Sequence, residues 1–175
     1  FRAKQDLARG LFTTRKLYVN GEVPFREAEN CRFYYDSKYS ITKLGDSDGN
    51  AFKVYLQKGN NDIKLKATVG DYGNLISQVQ LVVDDLNDLY LRIISITTAN
   101  PDEYQEYNLY GENARLEPDS KGRTMEEIFS DAAKTLNNVS NQLTEITGEK
   151  STYNNTLDEL VLQIGDEIDG KKIDG

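Results

Sequence analysis

From Phe52 to Val69 apolar and polar positions take turns: Phe52, Val54 and Leu56 against Lys53, Tyr55 and Gln57, then Ile63, Leu65, Ala67 and Val69 against Lys64, Lys66 and Thr68. Period two on both sides of Lys58-Gly59-Asn60-Asn61-Asp62 predicts an antiparallel hairpin with one apolar and one polar face. A lone hairpin is marginal in water, so its apolar side needs a cover. Upstream, Phe1 to Gln5 and Arg15 to Val19 read as strands, with Leu17 and Val19 inward and Lys16 and Tyr18 outward. Asn20-Gly21 closes the second, a dipeptide that favours tight hairpin turns. Pro24-Phe25 begins an irregular stretch through Ala28, Cys31 and Phe33. Ile41 to Leu44 reads as a short strand, and Gly45 to Asn50 as a loop.

After the hairpin the rhythm changes. Leu75, Val79, Val82, Leu86, Leu89, Ile93 and Ile96 recur every three or four residues, widened by Ile76, Val83, Tyr90 and Ile94, which predicts a broad-faced helix over 75–97. That helix is the expected cover for the hairpin. A long loop, 98–123, separates it from a second helix over 124–147. Thr124-Met-Glu-Glu127 has the capping-box spacing, Ile128, Phe129, Ala132, Leu136, Val139, Leu143 and Ile146 make the stripe, and Gly148 supplies the stop. Thr156 to Glu159 repeats the capping pattern ahead of a third helix over 156–165. The expected class is α+β, with strands in 1–73 and helices in 74–175. A parallel nucleotide-binding sheet is disfavoured, because strands and helices do not alternate.

Composition narrows the chemistry. A net charge of −8 and a pI near 4.7 argue against a nucleic-acid partner, and no cluster of Lys and Arg offsets them. With no histidine and one cysteine, Cys31, neither an intrachain disulfide nor the histidine-based zinc, haem and nucleophile constellations can form. No apolar run approaches the ~18 residues of a membrane-spanning helix. The chain opens on Phe1 within a strand pattern, so the expectation is a piece whose start lies upstream.

The segments RGLFTTRKLYVNGEVPF (9–25), LGDSDGNAFKVYLQKGNNDIKLKATVGDYG (44–73) and IISITTANPDEYQEYNL (93–109) resemble the region outside the transporter-fold lobes of large extracellular solute-binding lipoproteins of Gram-positive sugar ABC importers. The resemblance covers about residues 1–110 and rests on R-K-L-Y-V-N-G followed by F-x-V-Y-L-x-K-G-x-N-x-I-x-L. It implies a jelly-roll module of the galactose-binding-like type. A jelly roll has about eight strands, so a partial antiparallel β-sandwich followed by three amphipathic helices is expected here. It further implies a non-catalytic module at the cell surface that contacts oligosaccharide. Its other partners would be the remaining domains of the parent protein and the transporter permease, with an anchor outside this chain as its link to the membrane. The alternative is a structural or protein-contact domain with no small ligand.

Candidate residues follow. Tyr34, Tyr35 and Tyr39 form the densest aromatic cluster and would stack on a sugar ring, with Arg32, Asp36 and Lys38 hydrogen-bonding to it. Against this, alternate tyrosines commonly pack inward or cover an edge, and the chain has no tryptophan. Asp46, Asp48 and Asn50 have a spacing similar to a calcium loop. Ala51 stands where such a loop needs glycine, and no glutamate closes it, so a solvated turn is the first reading and calcium the only cofactor considered. The carboxylate pairs Asp84-Asp85, Glu126-Glu127 and Asp158-Glu159 read as solvated helix faces rather than a glycosidase pair. Arg15 and Lys16 read as edge-strand guards or contacts to a carboxylate. The acceptor sequences at Asn138 and Asn154 fall in helical stretches, and the two helix stripes are better satisfied by each other than by a partner.

Overall fold

The computed structural model describes residues 1–148, apart from 8, 47, 48 and 103, together with Val161. It is an α+β protein with antiparallel, unclosed sheets. Two compact units divide the chain, one built on Phe1–Asn74 with the end of the second long helix from Thr144, the other on Leu75–Leu143.

In the first unit, β1 (Arg2–Gln5), β2 (Phe12–Val19), β3 (Cys31–Tyr34), β4 (Asp36–Ile41) and β5 (Ile63–Thr68) form two sheets. One pairs β1 with β4 and the other has the order β3-β2-β5. The predicted hairpin is replaced: β5 pairs along its length with β2, Thr14 opposite Thr68 and Val19 opposite Ile63, and Phe52–Gln57 is not a strand. The reason lies in β2. Its β-branched and aromatic run extends the apolar Leu17 and Val19 to which Leu65 adds, whereas Tyr55 and Leu56 remain exposed. Residues 52–55 keep their alternation nonetheless, Phe52 and Val54 packing inward as irregular chain, but Leu56 does not follow.

The apolar face of the three-stranded sheet gathers Leu17, Val19, Ala28, Cys31 and Phe33, with Val23, Phe25, Leu44, Phe52, Val54 and Leu65 packed around them. Val23, Phe25, Leu44, Phe52 and Val54, all outside the strands, supply cover for it. Phe25 and Phe52 meet edge to face at 4.9 Å. Asn20 and Gly21 both have positive φ, 52° and 87°, and Val19 and Glu22 exchange backbone hydrogen bonds of 2.8 and 3.1 Å across them, the geometry of a type I′ turn. The short strand expected over 41–44 is instead β4, which ends at Ile41.

The second unit holds α1 (Gly73–Thr97) and α2 (Met125–Thr147). Val82 packs with Ala132 and Leu136, joined by Val79, Leu86 and Val161, and Leu89 packs with Leu116 and Ile128. The long connection contributes Leu109 and Leu116 to this core, so it wraps the helices. The capping box forms in both directions: the Thr124 amide donates to Glu127 Oε2 at 2.9 Å, and the Glu127 amide to Thr124 Oγ1 at 3.3 Å. Gly148, at φ 78°, ends α2 with its amide on the Thr144 carbonyl. The widening flank of α1 is exposed at Ile76, Val83 and Tyr90. The third helix predicted over 156–165 lies outside the described residues, Val161 excepted.

Helix α1 ends differently from α2. Thr98 adopts φ 62° and its amide bonds to the Ile94 carbonyl, a left-handed cap occupied by a β-branched residue. Thr98→Gly relieves that conformation and is expected to raise unfolding stability by about 0.5–1 kcal/mol in a denaturant titration; a loss of stability would show that the Thr98 side chain is needed.

Candidate functional site

The three-stranded sheet has a second face, and two of the predicted ligand residues, Arg32 and Tyr34, lie on it. Because β2 alternates, Phe12, Thr14, Lys16 and Tyr18 point away from Leu17 and Val19. The register sets Tyr34 beside Phe12, Arg32 and Thr68 beside Thr14, Lys66 beside Lys16 and Lys64 beside Tyr18. At the Phe12 end this face is partly closed by the 3-10 turn Gly70–Tyr72. The Phe12 ring lies 5.0 Å from that of Tyr72 and 5.4 Å from that of Tyr34, and the Arg32 guanidinium stacks over it at 4.7 Å. Gly70, at φ +47°, fits only as glycine: a Cβ would stand 2.5 Å from Asn30 Oδ1 and 2.7 Å from Thr14 Oγ1. Beneath it Thr14 Oγ1 donates to the Thr68 carbonyl at 2.6 Å and accepts from the Thr68 hydroxyl at 3.2 Å.

Arg32 binds Asp71 through Nε at 2.9 Å and through a terminal nitrogen at 2.8 Å. Burial pushes its pKa down, but the hydrogen bond with Tyr34 and the charge of Asp71 outweigh this, so it stays fully cationic. The Tyr72 hydroxyl is pushed up, chiefly by burial. Tyr34 itself is 61% exposed, its ring in tilted contact with Phe12 and its side chain hydrogen-bonded to Arg32.

The aromatic cluster that is continuous in sequence is split in space. Tyr34 belongs to β3, whereas Asp36 and Tyr39 belong to β4 of the other sheet, with Tyr35 between them. Tyr39 is 66% exposed, and it and Tyr35 lie within electrostatic reach of Lys4, which pairs with Asp6 at 2.5 Å. Asp36 accepts from the Lys38 amide at 2.9 Å. That bond and one from Ser40 hold its carboxyl below the usual range, so its lone pairs serve its own strand. Phe12, Tyr72 and Asp71 join the site without having been anticipated; the alternation of Phe12, Thr14, Lys16 and Tyr18 was the available sign. Nor is β2 an edge strand, as the guard reading of Arg15 and Lys16 required. It is central, and Lys16 pairs with Glu29 at 2.8 Å.

In the loop proposed for calcium, Asp46 accepts from the Asn50 amide at 2.8 Å and from Asn50 Nδ2 at 3.1 Å. Asn50 thereby engages both carboxylate oxygens in closing the turn, while Asp48 lies outside the described residues. Among the described residues no group of three or more acidic or cysteine side chains is placed to hold a metal ion, and no helix is long and apolar enough to cross a membrane. Glu127 of the paired carboxylates caps α2, Asp84 accepts from Gln80 at 2.8 Å, and Asp158 and Glu159 lie outside the described residues.

The second unit has a groove of about 410 Å³ floored by Leu81, Val82, Ile128 and Ala132. Arg123 stands at it, bound to Asp119 at 2.8 Å, Asp85 at 2.9 Å and Asp131 at 3.6 Å, while Lys121 binds Asp85 at 3.0 Å. Three carboxylates around one guanidinium leave it little capacity for an anionic ligand. No protein family, curated protein or solved structure matches this chain.

The Arg123 cluster has a pH signature. Burial raises the Asp85 carboxyl, but hydrogen bonds from Lys121 and Arg123 bring it below its ordinary 3.8, and the Arg123 amide chiefly does the same for Asp119. Depressed carboxyls stabilise the fold fully above the ordinary value and lose that contribution as pH falls through the lowered one. Denaturant melts should therefore show stability falling as pH drops below about 4, with a smaller acid loss in Arg123→Gln; an identical acid loss in that variant would remove the cluster from the account.

Proposed function

We propose that this chain is a non-catalytic module of an extracellular solute-binding protein of a sugar importer, and that it contacts carbohydrate through its exposed tyrosines. The observation that carries the reading is Tyr34, a ring 61% exposed yet in tilted contact with Phe12 and tied to Arg32 by a hydrogen bond. A ring held in place before binding loses little entropy when a sugar stacks on it. Tyr39 offers a second ring on the neighbouring sheet. The finer architecture belongs to the same proposal: two unclosed antiparallel sheets agree with part of a jelly-roll sandwich completed by strands from elsewhere in the parent protein. On this reading the parent is lipid-anchored at the cell surface and passes its sugar to the importer's permease.

A second reading, a protein-contact or spacer domain, is favoured by one specific feature. Arg32 hydrogen-bonds to both Asp71 and Tyr34. A sugar hydroxyl would have to compete for them.

Calorimetric titration with soluble oligosaccharides separates the two. Tyr34→Ala combined with Tyr39→Ala is expected to weaken binding by about tenfold or more, that is by some 1.4 kcal/mol, with the thermal unfolding midpoint little changed because both rings are largely exposed. Unchanged affinity in the double variant, or no binding by the parent chain, supports the spacer reading instead.

A further inference from the structure

We infer that the open half of the polar sheet face, around Lys16, Lys64 and Lys66, takes an acidic glycan, with carboxylate-bearing sugars as its ligand class. This deepens the carbohydrate reading and rests on it. The register places Lys16 directly opposite Lys66, and Tyr18 directly opposite Lys64, on one face of adjacent antiparallel strands. The ammonium groups of Lys16 and Lys64 lie 6.0 and 5.8 Å from the centre of the same Tyr18 ring. Tyr18 thus holds two cations close together by the attraction of its π-face. Like charges directly opposite on a sheet destabilise it, and this protein carries a net charge of −8 that elsewhere supplies ample acid. Yet Glu29 answers only Lys16, and among the described residues neither Lys64 nor Lys66 has an ion pair. The chain has placed three lysines together and answered only one of them with an acid.

The spacing suits a polymer with regularly placed anions. Residues two apart on a strand are about 6.6 Å apart and neighbouring strands about 4.8 Å, so the lysines form a small triangle in which one carboxylate can be shared by two ammonium groups. Lysine acts as a point charge on a flexible stem, without the fixed fork of arginine, and accepts such groups in varied orientation. Arg32 does not compete for this role, because Asp71 and Tyr34 already engage it. Farther along the same face Tyr34 offers the ring on which a sugar of the chain can stack. Exposed ion pairs are individually weak and screened by salt, so the contact is of low affinity, cooperative along the polymer and salt-sensitive. The net charge of −8 repels any polyanion at long range, so the contact is a local one and the choice of a glycan over nucleic acid rests on the carbohydrate reading.

The test titrates the full chain with oligogalacturonate, a neutral maltooligosaccharide and oligothymidylate, at low and high salt. Oligogalacturonate is expected to bind most tightly. Lys64→Glu with Lys66→Glu should weaken it by roughly tenfold or more, Lys64→Gln with Lys66→Gln by less, and added salt should weaken the parent toward the level of the Glu variant. The neutral sugar should be indifferent to both pairs of substitutions and sensitive to Tyr34→Ala. Equal binding of neutral and acidic sugars with silent lysine variants overturns this inference and leaves the carbohydrate reading standing; binding of neither sugar overturns both. Oligothymidylate binding as tightly as oligogalacturonate overturns the choice of a glycan.

Discussion

A single strand, β2, is required to do four things at once. It hydrogen-bonds to β3 on one edge and β5 on the other, and it buries Leu17 and Val19 on one face and Phe12 and Thr14 on the other. A strand in that position leaves no side chain without an assigned environment, and a slip of one residue would carry Leu17 and Val19 to the polar face and Lys16 to the core. The polar face is a consequence. What stands there is set by the parity of β2 and by the register of its two partners, which is how Tyr34, Arg32 and three lysines come to share one surface.

The two ends of that surface are treated differently. Around Phe12 the turn Gly70–Tyr72 folds over the sheet, and Arg32 finds Asp71 and an aromatic floor, so charge and ring are satisfied locally. Around Tyr18, Lys64 and Lys66 are exposed and remain without an acidic partner among the described residues. Gly70 marks the boundary between the two regimes, since only a residue without a Cβ can approach Thr14 and Asn30 so closely. The functional proposals above rest on this contrast between a self-satisfied end that presents one ring and an open end that presents charge.

Much of the helical half could be read from sequence because its signals are local. The Thr124–Glu127 capping box, the Gly148 stop and the three-to-four-residue stripes need no knowledge of what lies elsewhere in the chain, and α1 and α2 follow them closely. The tight turn at Asn20-Gly21 was legible for the same reason. Strand pairing is non-local and was not. The alternation of 52–55 still turns Phe52 and Val54 inward, though not Leu56 beyond it, but alternation gives the facing of a segment without naming its neighbour, and β5 found β2. The aromatic cluster misled in a related way: Tyr34, Tyr35 and Tyr39 are adjacent in sequence, yet the chain changes sheets between β3 and β4 and divides them. The lysine face was the least legible, because Lys16 and Lys66 become neighbours only once the register is known.

Backbone contacts across the strands test this arrangement most directly. In nuclear Overhauser spectra of the labelled protein, Leu17 should show interstrand contacts to Leu65, and Thr14 to both Arg32 and Thr68, while amides of Lys53 to Leu56 exchange rapidly with solvent. Contacts running instead from Val54 and Leu56 to Ile63 and Leu65, with Leu17 lacking a partner in β5, would contradict the central position of β2 and the polar face derived from it.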